Sequence, residues 1–243
     1  MGFSPPSGSE KKSAATPVNL YSLKKSIAEL VWQIRHYRSE RIFCIGMIKT
    51  GTTSLAKALY DLGYRVGNQR RGELLLDSYA RRDFRPLVKY CRTAEAFQDI
   101  PFGLPFTHVI LDHCFPRSKF ILSVRDDEDQ WYRSLVRFHS QKFGNGRVPN
   151  VQDLRKADYC EKGWMWKVHS LLFDLTDYGD PYDEATLKLR YRIHNRAVIE
   201  YFRGRSEFLF INVAERNAYQ KLCSFLEREP KYEPFPWVNR TEG

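Results

Sequence analysis

The stretch RIFCIGMIKTGTTSL, residues 41–55, contains three consecutive local patterns. Residues 42–45 form a short apolar run that is typical of a buried strand. A glycine-containing turn follows, and residues 52–54 (Thr-Thr-Ser) lead into a segment with helical spacing. The first N–H groups of a helix have no partner within the helix, so a strand, a glycine turn and a helix start together form a cradle for an anion. The stretch therefore predicts an anion-binding loop.

Length and composition limit the class of protein. The chain has 243 residues, of which 42% are hydrophobic and 14% aromatic, as in a globular α/β domain of ordinary size. The net charge of +10 predicts an anionic partner of some kind. Five widely spaced cysteines without a C-x-x-C pair fit free thiols better than a disulfide framework or a zinc site. No apolar run is long enough to span a membrane, so we expect a cytoplasmic protein.

The order of local patterns predicts the fold class. Residues 1–19 are rich in Ser, Pro, Gly and Lys and predict a disordered leader, whereas residues 20–243 predict a single domain. Strand patterns alternate with helical ones, which implies an α/β fold with a mostly parallel central sheet flanked by helices. The predicted strands are 42–45, 64–66, 94–99, 119–124 and 207–213. Three helices are predicted without exact bounds: one starts at residue 20, one starts at residue 55, and one contains Trp131. The other predicted helices are 72–92, 105–114, 183–203 and 218–227.

The loop departs from the nucleoside-triphosphatase motif G-x-x-x-x-G-K-[ST] at one position. Gly46 and Gly51 have the required separation, but Thr52 stands where that motif needs a lysine. The lysine is instead Lys49, which lies inside the loop. From there its ammonium group reaches a phosphate oxygen from a different side of the ligand. The loop therefore predicts a phosphate ligand that is held differently from the triphosphate of an ATPase.

A second anion site is predicted at the end of the strand over 119–124. A loop that works with Mg²⁺ needs an acidic metal ligand there, but the strand ends in Arg125. A guanidinium group at the C-terminal tip of a strand is placed to hold another anion, and Ser134 can add a hydroxyl group. Two separated anion sites without an obvious metal site suit a nucleotide phosphorylated at both its 5′ and 3′ ends.

These motifs resemble those of the sulfotransferase family. Residues 46–55 resemble its 5′-phosphosulfate loop, and residues 120–126 with 131–134 resemble its 3′-phosphate motif. Supporting similarity lies at 98–102, 194–195, 222–226 and 234–239, so the resemblance extends over about residues 41 to 240. It implies a P-loop-like sulfotransferase fold. It also implies in-line transfer of a sulfuryl group from 3′-phosphoadenosine 5′-phosphosulfate (PAPS) to a hydroxyl or amine acceptor, with no metal required.

The resemblance also implies roles for individual residues. Lys49 would contact the oxygen that bridges phosphate and sulfate, and Arg125 and Ser134 would hold the 3′-phosphate. Arg125 and Ser134 are nine positions apart, one more than in many family members. Backbone N–H and hydroxyl donors to the 5′-phosphate would come from Thr50, Gly51, Thr52, Thr53 and Ser54.

An acceptor hydroxyl also needs a general base, and three candidates lie between the two anion motifs: Asp99, His108 and His113. In cytosolic sulfotransferases the base is a histidine at a strand end, just before a Leu-Pro or similar pair. Asp99 precedes Ile100-Pro101 at the matching place, so the resemblance implies a carboxylate instead of an imidazole. His108 and His113 fall on an apolar helical segment, where a histidine is more often part of the core. The sequence favours Asp99 as the base and keeps His108 as a further catalytic candidate.

Several questions stay open at the level of sequence. The expected acceptor is a small molecule or a carbohydrate, with no nucleic-acid or membrane partner, and the oligomeric state is not set. The aromatic segment over 159–182 indicates either a lid over the acceptor or ordinary core. Two other functions remain as alternatives: a P-loop nucleotide kinase or other phosphotransferase, and a non-enzymatic binder of nucleic acid or anionic polysaccharide.

Overall fold

The computed structural model describes residues 27–32, 34, 40–176 and 179–236. Residues 27–32 and 34 are helical and belong to a separate unit. The leader predicted over 1–19, the start of the helix predicted from residue 20, and the end of the 234–239 motif lie outside the described residues. No helix within the described ranges combines the length and the apolar character needed to cross a membrane.

A parallel sheet lies at the centre of the second unit. Among the described residues it has four strands in the order β2-β1-β3-β4, and every neighbouring pair is parallel. The central strands β1 and β3 are apolar and almost fully buried, as expected for strands covered on both faces. The predicted α/β fold with a mostly parallel sheet is confirmed. The strands are β1 (Ile42–Cys44), β2 (Ala96–Phe97), β3 (Lys119–Val124) and β4 (Phe208–Asn212).

Helices connect the strands and cover both faces of the sheet. One face packs on α1 and α10, and the other on α4, α5 and α9, through two separate apolar clusters. Along the chain the helices are α1 (Thr52–Asp61), α2 (Gln69–Glu73), α3 (Leu76–Ala80), α4 (Arg85–Tyr90), α5 (Thr107–Cys114), α6 (Glu128–Phe143), α7 (Val151–Lys156), α8 (Trp164–Phe173), α9 (Glu184–Tyr201) and α10 (Ala218–Leu226).

A third apolar cluster joins helices α3, α6, α8 and α9 to the loop after β1. Trp131 of α6 is fully buried in it and stacks on Tyr191 of α9, with ring centroids 4.5 Å apart. The indole N–H of Trp131 donates a hydrogen bond to the carbonyl oxygen of Ile48 at 3.0 Å. This cluster therefore holds the loop after β1 from the side, away from the sheet.

The structure corrects three predicted elements. The single helix predicted over 72–92 is wrong, because the chain forms three short helices, α2, α3 and α4, between residues 69 and 90. Arg82 has a left-handed backbone (φ 58°) and Pro86 lies in the first turn of α4, so both interrupt a continuous helix. The strand predicted over 94–99 is reduced to β2, since Asp99 is also left-handed (φ 64°). The strand predicted over 64–66 is one isolated bridge from Val66 to Ala96.

The turn after β1 passes very close to β3. A Cβ atom on Gly46 would lie 2.3 Å from Ser123 Oγ and 2.5 Å from the carbonyl oxygen of Ser123. A Cβ atom on Gly103 would in turn lie 2.4 Å from the carbonyl oxygen of Gly46. Because backbone atoms cannot yield as a flexible side chain does, only glycine fits at both positions.

We predict that Gly46→Ala lowers the free energy of unfolding by about 1–3 kcal/mol, since the added methyl group overpacks the turn against β3. Denaturant unfolding followed by circular dichroism measures the change. Gly179→Ala is the matched control, because a Cβ atom there meets nothing within 4 Å and the residue is exposed. Equal stability of the two variants would contradict the close approach of the turn to β3.

Candidate active site

A cavity of about 270 Å³ lies where β1, β2 and β3 end. Lys49 follows β1, Asp99 follows β2 and Arg125 follows β3, and all three line the cavity. The carboxyl ends of parallel strands are the usual binding edge of an open α/β sheet. The opposite wall is made by α2, α6, α8 and the segment before α8, with Glu73, Phe138, His139, Tyr159 and Trp164 among its residues.

The N-terminus of α1 contributes backbone N–H groups to this cavity. Helix α1 starts at Thr52, directly after Gly51, which has φ 92° and offers no side-chain cap. The first turn of α1 contains no acidic residue, and Thr52 and Thr53 line the cavity. A Cβ atom on Gly51 would lie 2.4 Å from Val213 Cγ2. The positive end of the helix dipole is thus directed at the cavity, and no side chain caps the first N–H groups of the helix.

The Thr50 hydroxyl group is turned away from the cavity. Its Oγ1 donates to the carbonyl oxygen of Met47 at 2.7 Å and lies 2.7 Å from Ser123 Oγ. Thr50 is fully buried. The hydroxyl therefore stabilises the loop internally, and Thr50 is not among the residues that line the cavity.

Lys49 is the cationic group of the loop. It has a left-handed backbone (φ 67°), and its Nζ lies 3.9 Å from the centroid of the Phe138 ring, a cation–π distance. Burial, and secondly the nearby Arg125, lowers the pKa of Lys49 to about 8, while Asp99 opposes the shift. Lys49 is therefore still mostly protonated at pH 7, but its charge is poorly compensated by the protein.

Arg125 is anchored to the same loop. Its Nε donates to the carbonyl oxygen of Lys49 at 2.7 Å, and its backbone N–H donates to the Tyr191 hydroxyl at 3.1 Å. Burial lowers the pKa of Arg125. Within the described residues, no carboxylate lies within ion-pair distance of its guanidinium group. Arg125 also lines a second cavity, of about 470 Å³, together with Arg192 and Arg196.

The position of Ser134 gives no direct contact with either cavity. Ser134 lies on α6 and lines neither space. Its Oγ is buried and has no hydrogen-bond partner among the residues that the structure describes. Ser54 is also buried, in the first turn of α1. Of the site residues predicted from the sequence, the structure therefore brings together six at the cavity: Lys49, Gly51, Thr52, Thr53, Asp99 and Arg125.

Asp99 is held with its carboxylate beside the α1 N-terminus. Its Oδ1 accepts from the N–H of Ile100 at 3.0 Å, and its Oδ2 accepts from Thr52 Oγ1 at 3.3 Å. Burial, and secondly the negative charge of Glu73, raises the pKa of Asp99 to about 6, against the opposing effects of Ile100 N–H, Thr52 and Lys49. A carboxylate with a raised pKa in a cavity beside a cation is typical of a general base.

The two histidine candidates lie elsewhere. His108 packs on the rings of Tyr201 and Phe202, with centroid distances of 5.2 and 6.0 Å, and does not line the cavity. Burial lowers the pKa of His108 to about 4. His113 is exposed on α5 and also lies outside the cavity lining. We therefore do not retain either of them as the base.

His139 is a cavity residue that the sequence reasoning missed. Its Nδ1 lies 2.8 Å from the Tyr182 hydroxyl and 3.1 Å from His169 Nε2, and burial keeps its pKa well below the usual range. The signal was present in the helical spacing, because Trp131, Leu135 and His139 recur every four residues on the buried face of α6. Glu73 was likewise not identified, whereas Tyr159 and Trp164 belong to the aromatic segment over 159–182, which the sequence indicated as either a lid or ordinary core.

We predict that Thr50→Val destabilises the protein by about 1–3 kcal/mol, since the isosteric methyl group leaves the Met47 carbonyl and the Ser123 hydroxyl without their partner. Thr53→Val is the control, because Thr53 is partly exposed at the cavity and should change the unfolding free energy by less than about 0.5 kcal/mol. Both are measured by denaturant unfolding. A Thr50→Val protein as stable as wild type would contradict the inward position of this hydroxyl.

Comparison with known proteins places this site in a family. A search of the curated proteins found no match. The family model described as a sulfotransferase domain matches residues 41–243. That match includes every strand of the sheet and all the residues of the cavity. The chain therefore belongs to the sulfotransferase family and is a sulfotransferase enzyme.

Proposed function

We propose that this enzyme transfers a sulfuryl group from PAPS to a hydroxyl or amine group of a small-molecule or carbohydrate acceptor, by in-line displacement in the cavity described above. One observation carries the proposal: Lys49, Arg125 and the N-terminus of α1 converge on a single cavity that also contains Asp99. Such a transfer needs groups that bind the anionic donor and a base for the acceptor, and this cavity contains three anion-binding elements and a carboxylate.

The residues present fit an anionic nucleotide. Gly51 leaves the first turn of α1 without a side-chain cap, and the Lys49 and Arg125 cations line the space in front of it. When bound, PAPS supplies an activated sulfuryl group on its 5′-phosphate and carries a separate 3′-phosphate. The first-turn N–H groups of α1 would hold the 5′-phosphate, and Arg125 would hold the 3′-phosphate.

Lys49 would stabilise the charge that builds on the leaving oxygen. A loose in-line displacement gives the protein little covalent work, so catalysis rests on positioning and on cations where negative charge develops. The Nζ of Lys49 is buried against Phe138 and has no carboxylate within ion-pair distance among the described residues. An ammonium group in such a weakly screened position interacts strongly with a developing anion.

Asp99 would accept the proton of the acceptor. Its pKa of about 6 leaves it mostly ionised at neutral pH, and still more basic than an ordinary aspartate. A base must be deprotonated and Lys49 must be protonated. The kcat/KM value should therefore fall below about pH 6, where Asp99 gains a proton, and above about pH 8, where Lys49 loses one.

The two alternative functions are less well supported. A triphosphate-dependent phosphotransferase of this loop type would carry a lysine at Thr52 and an acidic metal ligand at Arg125. A non-enzymatic polyanion binder would account for the net charge of +10, but it would not require a carboxylate of raised pKa inside the cavity. The phosphotransferase alternative is an outcome of the binding experiment below.

We predict that 3′-phosphoadenosine 5′-phosphate (PAP) raises the melting temperature without Mg²⁺, by an amount that corresponds to about 2.7 kcal/mol at 100 times its Kd. Adenosine 5′-phosphate and ATP should stabilise far less, since neither has a 3′-phosphate. Arg125→Ala should remove the preference for PAP over adenosine 5′-phosphate, whereas Arg133→Ala, an exposed arginine of α6, should keep it. Stronger stabilisation by ATP with Mg²⁺, or an unchanged preference in Arg125→Ala, contradicts the proposal.

We predict that Lys49→Ala lowers kcat by about 10²–10³ and Asp99→Asn lowers it by about 10²–10⁴. Asp99→Asn should not weaken PAP binding, because it removes a negative charge from beside the N-terminus of α1. Lys57→Ala is the control, since Lys57 is exposed on α1 and paired with Asp61. Rates are measured with labelled PAPS on the best acceptor from a screen of phenols, alcohols, amines and sugars. Full activity of Asp99→Asn would rule out its role as the base.

A further inference from the structure

Gln69 and Glu73 of α2 line the catalytic cavity but have no part in the mechanism described so far. We propose that both are positioning residues for Asp99: the Gln69 amide group links the two carboxylates, and Glu73 holds that amide group in place and puts a second carboxylate next to the base. This inference rests on the proposed function, since it concerns how the base of that reaction is held and tuned.

The Gln69 amide group connects the two carboxylates through one nitrogen. Its Nε2 donates to Glu73 Oε1 at 2.9 Å and points to Asp99 Oδ2 at 3.4 Å. Its Oε1 accepts from Gln98 Nε2 at 3.0 Å, which fixes the side of the amide that faces the carboxylates. The NH₂ group therefore stands between two negative charges and offers a proton to each.

Glu73 is held firmly in place. It is buried, and its Oε2 accepts from the Cys160 thiol at 2.8 Å. Its backbone carbonyl accepts from Trp164 Nε1 at 3.0 Å, so α8 fixes this end of α2. Arg70 Nη1 is 3.9 Å from Oε2, which compensates the charge in part. The carboxylate cannot turn away from Asp99 without breaking two side-chain hydrogen bonds, those from Gln69 and Cys160.

The charged and titratable groups around Asp99 come from four elements. Glu73 of α2 raises the pKa of Asp99, and Lys49 of the loop lowers it. Tyr159, from the segment between α7 and α8, has its pKa raised to about 12, first by burial and then by Glu73 and Asp99, so it stays neutral at working pH. Arg125 lines the same cavity from the end of β3. Glu73 is thus the anionic neighbour that opposes ionisation of Asp99.

Substitutions of the two residues should shift the pKa of Asp99 in opposite directions, so the test can distinguish their effects. Glu73→Gln removes a negative charge and keeps the shape, so Asp99 should titrate at lower pH. Gln69→Met removes the amide N–H group between the carboxylates, so Asp99 should titrate at higher pH. A weaker base is also a slower one, so Glu73→Gln should lower the plateau kcat several-fold.

The experiment measures two quantities on the intact chain. The first is the titration of the Asp99 carboxyl carbon by NMR in nucleotide-free protein, with the signal assigned by Asp99→Asn. The second is the pH profile of kcat/KM for sulfuryl transfer. A shift of about one unit in Glu73→Gln would raise its activity at pH 5, relative to pH 7.5, about fivefold over wild type. Asp77→Asn, which removes the same charge from an exposed site on α3, should move neither curve.

The outcomes distinguish a failure of the positioning role from a failure of the proposed function. If wild type transfers sulfuryl groups but the Asp99 titration is the same in Glu73→Gln, or moves the same way in both variants, the positioning role is wrong. If wild type transfers none, the proposed function fails, and the NMR titration still decides whether Glu73 acts on Asp99. Should Glu73→Gln not fold, the Gln69→Met titration decides alone: an unchanged or lower midpoint overturns the role.

Discussion

The hydrogen bond from Arg125 Nε to the Lys49 carbonyl oxygen, at 2.7 Å, joins the two halves of the site. It connects the end of β3 to the loop after β1, and β1 and β3 are neighbouring strands in the sheet. The same arginine receives support from Tyr191, on which Trp131 stacks, and Trp131 in turn donates to the loop at Ile48. Helices α6 and α9, the loop and β3 therefore fix the two cations relative to each other.

Much of the fold could be predicted because its strongest elements are locally encoded. Strand β3 was predicted with its observed bounds, since a continuous apolar run flanked by charges has few other solutions. Helix α9 begins directly after Asp183, whose side chain caps the Thr186 N–H. The segment over 72–92 was harder because its apolar residues serve different clusters. Leu76 and Tyr79 pack beside α8, whereas Leu87 packs against the sheet, and one straight helix cannot do both.

The candidate site was predictable where its residues follow strand ends. Lys49, Asp99 and Arg125 all do, and parallel strands bring such positions to one edge whatever the details of packing. Glu73 and His139 come from helices. The helical spacing places His139 on the buried face of α6, but which cavity that face lines depends on how the helices pack. The inward turn of the Thr50 hydroxyl depends on Ser123, a residue 73 positions away. The sequence motif could identify the loop but not which of its atoms were already in use.

The inward hydroxyl of Thr50 has a consequence for how a ligand meets the loop. Together with the Ile48 and Lys49 carbonyl bonds, it orders the loop before anything binds. A loop that is disordered when free loses conformational entropy on binding, on the order of 1–2 kcal/mol for each residue that becomes fixed. Here the loop is ordered when the protein folds, so this entropy loss is part of the free energy of folding, together with that of the core. The affinity of a ligand for this loop should then be set by the contacts themselves, with little free energy lost in ordering the loop.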